Sequence, residues 1–146
     1  MSEDLEERDE EGRTPLMRAC EGGDFEQVQR LVENGANIEA EDRERWTPLV
    51  FACQKGNEPI ARFLIEKGAN IETEDREGWT PLMWVCQRGF EPIFRLLIEK
   101  GANIEAKDSR GWSSLTKACK HGHESIVRSL IERGATIETR AFQDAA

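Results

Sequence analysis

Four cysteines, two histidines and four tryptophans are the residues of this chain best suited to chemistry. Cys20, Cys53, Cys86 and Cys119 recur every 33 residues. Thiols can pair as disulfides or hold zinc, and both need close approach: Cα atoms within about 7 Å for a disulfide, sulfurs about 2.3 Å from one ion for zinc. Equivalent positions on stacked helices lie roughly 8–10 Å apart. The spacing therefore predicts buried thiols acting as small hydrophobes, each preceded by Ala19, Ala52, Val85 or Ala118. Cys119, His121 and His123 form a local Cys/His group, but Cys119 belongs to the buried register and no metal site is expected.

Other chemistry finds little support. The chain has no tyrosine, and no Gly-rich phosphate loop follows a strand, because no strands are expected. Acidic pairs such as Glu33 and Glu39 recur only because the sequence repeats. No catalytic residue and no cofactor are assigned, and enzymatic activity is not expected. A net charge of −9 opposes nucleic-acid binding, which needs a positive surface. Neither a membrane-spanning run, a lipidation motif nor a basic amphipathic helix is present. The acidic start, Met1-Ser2-Glu3-Asp4, is unlike a secretory signal. A soluble intracellular protein of cytoplasm or nucleus is expected.

The elements that must position these residues follow from the period. Leu16, Leu49, Leu82 and Leu115 share the 33-residue interval, as do Gly35, Gly68, Gly101 and Gly134. A fixed period of this length means stacked supersecondary units. In the third unit, Asp75 and Gly78 supply turn chemistry. Thr80 can cap a helix that begins with Pro81, and Gly89 ends it. A second helix from Pro92 carries Ile93, Phe94, Leu97 and Ile98 at core spacing before Gly101.

The succession Asp-x-x-Gly-x-Thr-Pro-Leu, Ala-Cys-x-x-Gly and Leu-Ile-Glu-Lys-Gly-Ala-Asn-Ile resembles the ankyrin repeat. Four copies are expected over residues 9–41, 42–74, 75–107 and 108–140, with an acidic N-terminal tail (1–8) and a C-terminal tail (141–146). The resemblance implies an all-α solenoid of four helix-turn-helix units with hairpin-like loops, binding proteins on a concave side made by loop tips and first helices. His123 matches that family's Gly-His position opening a second helix. Departures are Met17, Val50, Met83 and Thr116 in place of the usual His, Arg45 in place of a turn Gly, and Ser113-Ser114 in place of Thr-Pro. Arg45 is expected to tolerate or avoid a positive φ at some cost.

Function is sought in what differs between units. Arg13, Trp46, Trp79 and Trp112 share one loop-tip register. Each indole either packs on a neighbouring loop or serves as an interface anchor. Three in succession, flanked by variable polar residues, favour binding. Phe51 and Trp84 align with Arg18 and Lys117 in the end units; partial burial is expected for the aromatic pair and a polar cap for the charged pair. The same polar ends predict that four repeats make the whole domain. The segment Trp79-Thr80-Pro81-Leu82-Met83-Trp84 also resembles ankyrin proteins that capture extended peptides containing Pro and Leu.

Charge is polarised along the chain: −6 in the first unit, −1 in the second, 0 in the third and +2 in the fourth. This predicts an oriented ligand, basic toward unit one and acidic toward unit four. A monomer is expected, with weak head-to-tail self-association favoured by the polarity and opposed by the polar ends. The resulting expectation is a module that binds an extended peptide or loop of a partner protein. Trp46, Trp79 and Trp112 would be anchors, with Arg13, Lys55, Arg88 and Lys120 supplying polar selectivity. Arg43, Arg76, Trp84, Arg110 and His121 are further partner-binding candidates. The alternative is a regulator that occludes a folded partner such as an enzyme or transcription factor.

Overall fold

The computed structural model describes residues 4–138. In chain order the helices are α1 (Pro15–Gly22), α2 (Phe25–Glu33), α3 (Pro48–Lys55), α4 (Glu58–Glu66), α5 (Pro81–Arg88), α6 (Glu91–Glu99), α7 (Ser114–Lys120) and α8 (Glu124–Glu132). Odd and even members pair within a unit, and α1, α3, α5 and α7 stack successively on one another. Among the described residues the fold is all-α, with an isolated bridge between Lys107 and Ser113 as its β-type contact.

Each first helix starts where the sequence places its cap. Thr14, Thr47, Thr80 and Ser113 accept from the backbone N–H three residues on, at 3.3–3.4 Å. The residues standing where His is usual turn inward, with Met17, Val50 and Met83 fully buried. Met17 and Met83 also accept from the N–H of Thr14 and Thr80 through their sulfurs, at 3.5 Å. Ser113-Ser114 keeps the cap, and Thr116 Oγ1 lies 3.4 Å from Ser113 Oγ.

Helices of seven to nine residues are too short to persist alone. They are held by Leu16, Leu49, Leu82 and Leu115 of the first helices and Leu31, Leu64, Leu97 and Leu130 of the second, all buried. Each such side chain contributes roughly 1.5–3 kcal/mol on burial. The four thiols are unpaired. Burial pushes Cys20 and Cys86 up to about 12 and raises Cys53 as well, leaving them protonated and inert at neutral pH. Cys119 is half-buried, since no further helix pair covers α7 among the described residues.

Two contacts join units edge to edge. Gly89 (φ 79) lies so close to the next unit that a Cβ would stand 2.5 Å from the His123 ring. His123 Nε2 in turn lies 2.7 Å from the Gln87 carbonyl, which gives this histidine a structural task. Along the opposite edge, Glu39 and Glu72 accept from the N–H groups of Asn70 and Asn103, both at 2.9 Å. Glu105 does the same for Thr136 at 2.9 Å. The recurrence of Glu39 is thus a bridge between units.

Glu6 continues this series one period earlier, accepting from Asn37 N–H at 3.0 Å. Arg8 donates to the Glu41 carbonyl at 2.7 Å, and Leu5 packs against the core. Residues 5, 6 and 8 of the acidic N-terminal tail are thus tied to the first unit and its following turn. The C-terminal tail assigned to residues 141–146 lies outside the described residues.

Arg45 takes the left-handed conformation (φ 63) that Gly12, Gly78 and Gly111 take in the other units. Its ion pair with Glu41, at 3.5 Å, is largely exposed and is worth little. Arg45→Gly is expected to stabilise the fold by roughly 0.5–1 kcal/mol. A urea unfolding midpoint that falls instead of rising would show that the arginine side chain outweighs the backbone cost.

Candidate functional site

The loop tips are built by one carboxylate per unit. Asp42, Asp75 and Asp108 are buried, and each Oδ1 accepts from two backbone N–H groups of its own turn. For Asp75 these belong to Glu77 at 2.9 Å and Trp79 at 3.0 Å. Asp42 holds Trp46 and Asp108 holds Trp112, both at 2.9 Å. The tryptophan register is thereby fixed relative to the first helix that follows it. Adjacent tips are zipped by backbone bonds from Arg76 to Glu44 (3.1 Å) and from Ser109 to Glu77 (2.9 Å).

In units one, three and four the second oxygen of the turn aspartate (Asp9, Asp75 or Asp108) meets the first-helix residue nine positions on, Arg18, Trp84 or Lys117; in unit two that residue is Phe51. Trp84 Nε1 donates to Asp75 at 3.3 Å, and Lys117 Nζ to Asp108 at 2.7 Å. Phe51 cannot donate. In its unit Arg13 reaches across from the preceding tip, placing Nε 3.7 Å from Asp42. Arg13 also pairs with Glu11 and Glu21, each at 3.1 Å, and lies over the Phe51 ring at 5.0 Å. These ion pairs and the Phe51 ring hold the side chain against the scaffold, although its buried Nε makes no hydrogen bond.

The aromatic residues interleave across units. Trp46 meets Phe51 and Trp84 edge-on, both at 5.1 Å. Trp84 meets Trp79 at 4.4 Å, and Lys117 Nζ stands 3.8 Å over the Trp79 ring. Phe51 is fully buried, beyond the partial burial expected from its polar counterparts in the end units. Lys117 also departs from expectation. It is no exposed cap: its side chain is 7% exposed and that of Asp108 3%, because the lysine closes the ladder where a further aromatic would stand.

Burial alone would raise the Asp108 carboxyl, but the bonds from Lys117 and the Trp112 N–H outweigh it and hold the group below its usual range. Burial pulls the Lys117 ammonium down, against the attraction of Asp108.

Between the third and fourth tips lies a cleft of about 470 Å³. Its lining brings together five of the residues singled out in the sequence: Trp79, Arg110, Trp112, Lys120 and His121, with Glu77, Gln87, Ser109, Thr116, Asp108 and Lys117. Lys120 Nζ lies 5.6 Å over the Trp112 ring. A smaller cleft of about 130 Å³ between the second and third tips gathers Trp46, Arg76 and Trp84. Arg76 also donates through Nε to the Arg43 carbonyl. Arg43, Lys55 and Arg88 are exposed and line neither cleft. Among the described residues, no group of three His, Cys, Asp or Glu is arranged to hold a metal ion. No helix there is long and apolar enough to cross a membrane.

Stacked helix pairs with zipped loop tips along one edge define a helical repeat solenoid. Residues 1–75 and 70–141 match the model of the family described as ankyrin repeats (3 copies), and the chain belongs to the ankyrin-repeat family. A comparison with curated proteins finds no match. Ankyrin repeats are generally non-enzymatic scaffolds that mediate protein–protein interactions.

The Asp108–Lys117 pair yields a pH-dependent prediction. Lys117→Met should destabilise the fold by about 3 kcal/mol at neutral pH, since it strands a buried carboxylate. The folded-state pKa of Asp108 is lowered. The pair's stabilisation is therefore present above the unfolded value of about 3.9 and is lost as pH falls through the folded value. The gap between wild type and Lys117→Met should narrow accordingly in acid. Lys117→Trp, which installs the unit-three residue, should cost clearly less than Lys117→Met at neutral pH. Equal losses in denaturant titrations at pH 7 would show that hydrogen bonding to Asp108 is not what the position requires.

Proposed function

We propose that the protein is a binding module that takes an extended segment of a partner protein along the face made by its loop tips and first helices. The convergence of Trp79, Trp112, Arg110, Lys120 and His121 on one cleft of about 470 Å³ carries this reading. Indoles offer large, rigid contact area, and aromatic anchors in pockets dominate interface energetics. Exposed arginine, lysine and histidine around them supply hydrogen-bond donors.

The tryptophans divide by role. Trp46 is clamped between Phe51 and Trp84, and Trp79 between Trp84 and Lys117. Both fasten neighbouring units while presenting an edge to the clefts. Trp112 stands on the fourth tip and forms a wall of the larger cleft, beside Arg110 and Lys120, and is assigned as the principal anchor. The smaller cleft at Trp46, Arg76 and Trp84 lies one unit earlier, where the same segment would continue.

The test is a selection of displayed random peptides on the folded protein, followed by affinity and melting measurements on single variants. Trp112→Ala should weaken a selected peptide at least tenfold, about 1.4 kcal/mol, with a smaller loss of melting temperature than Trp46→Ala. Trp46→Ala should lower stability by about 3 kcal/mol before it affects affinity. A library that yields no enriched peptide would overturn the extended-segment reading and favour a folded partner occluded by the same face.

A further inference from the structure

The four units are near copies, so residue types that change in only one of them, and that meet in space, stand out. One loop register reads Glu11, Glu44, Glu77, then Arg110; a first-helix register reads Glu21, Gln54, Gln87, then Lys120. Both turn from acidic or neutral to cationic in the fourth unit alone. They come from separate elements, a turn and the last residue of α7. Both nevertheless line the cleft walled by Trp79 and Trp112.

Ion pairing within the fold explains neither change. Arg13, Arg18, Arg45, Arg62, Arg95, Lys107 and Lys117 each have a carboxylate partner. Arg110 and Lys120 have no carboxylate within ion-pair distance among the described residues. Their side chains are exposed. The charge of Lys117 in the same cleft is balanced by Asp108 at 2.7 Å. Two uncompensated cations therefore face one pocket beside two indole walls, with the Glu77 carboxylate as the opposing charge at its edge.

We infer that this cleft is a carboxylate-reading pocket: Arg110 and Lys120 receive an Asp or Glu side chain of the bound partner segment, while Trp79 and Trp112 take an apolar neighbour of that residue. The inference rests on the extended-segment reading above and adds the chemistry of the residue recognised at the fourth unit. Arginine offers paired N–H donors to a carboxylate. The Lys120 ammonium over the Trp112 ring is held near its aromatic face. A lone carboxylate on a partner would thus find its countercharge at the same place as its apolar contact, which fixes the register of the segment as well as its affinity.

The test uses a double variant whose residues already occur in this fold. Arg110→Glu with Lys120→Gln restores the unit-three types at both positions, so folding is expected to be kept, and a melting curve verifies it. Random peptides are selected in parallel on wild type and on this variant. The wild-type pool should be enriched in Asp or Glu at one position next to an apolar residue, and the variant pool should lose that acidic preference while keeping the apolar one. In a wild-type-selected peptide, changing the acid to its amide should weaken binding about fivefold on wild type and less than about twofold on the variant. Enriched peptides without an acidic position, or an amide change felt equally by both proteins, would overturn the pocket and leave the extended-segment reading standing. A wild-type pool with no enrichment at all would overturn both.

Discussion

A buried aspartate at the head of the second, third and fourth turns is the interaction on which the rest of the molecule depends. Asp42, Asp75 and Asp108 each satisfy one oxygen with two backbone N–H groups of the turn. A buried carboxylate left half-satisfied is costly, so its second oxygen dictates what the first helix places nine residues on. Tryptophan answers with an indole N–H at Trp84, and lysine with an ammonium at Lys117. At Phe51 no donor exists, and Arg13 of the preceding unit supplies a countercharge at 3.7 Å without a hydrogen bond. In units three and four the carboxylate thereby favours a donor at the position that joins the ladder between units.

That constraint explains why one surface combines rigidity with exposed chemistry. The ladder from Arg13 through Phe51, Trp46, Trp84 and Trp79 to Lys117 uses one side of each ring for packing. The other side of Trp46, Trp84 and Trp79, half-buried, is left at the clefts, whereas Phe51 is fully buried. Loop tips on isolated turns would move; here they are zipped by backbone bonds and fixed by the aspartates. A partner segment would meet aromatic walls whose ordering cost has been met in folding, which is the condition for preorganised recognition. The gradient from a −6 first unit to a +2 fourth unit would then give such a segment a direction.

The architecture was legible in the residues because its signals are local. Thr14, Thr47, Thr80 and Ser113 cap within three positions, and the 33-residue recurrence of Leu16 and its equivalents marks the core. Gly12, Gly78 and Gly111 identified the turn in which Arg45 is forced to positive φ. The roles that were not legible depend on partners in neighbouring units. Arg13 looked like a free selectivity residue, because nothing in its own turn reveals Asp42 and Phe51 a whole period away. Lys117 looked like a solvent-facing cap, because alignment shows the charge and hides the carboxylate that folds onto it. Glu39 looked like repetition without purpose, although a period-33 carboxylate opposite a period-33 Asn is a readable sign of a bridge between units. Of the site itself, the sequence supplied the residues around Trp112. Only the fold showed that they share one cleft while Arg43, Lys55 and Arg88 stand outside it.

The four indole N–H groups offer the most direct test of the central claim, that the fourth-unit cleft receives the partner segment while the ladder holds the tips. Two-dimensional proton–nitrogen spectra, recorded as a selected peptide is added, report on each indole separately once single Trp variants assign the signals. The account predicts that Trp112 and Trp79 shift progressively to saturation with the largest amplitudes, with Trp46 and Trp84 following more weakly. Saturable binding that leaves Trp112 unmoved, with changes confined to residues of α2, α4, α6 and α8, would place recognition on the opposite side of the molecule and contradict it.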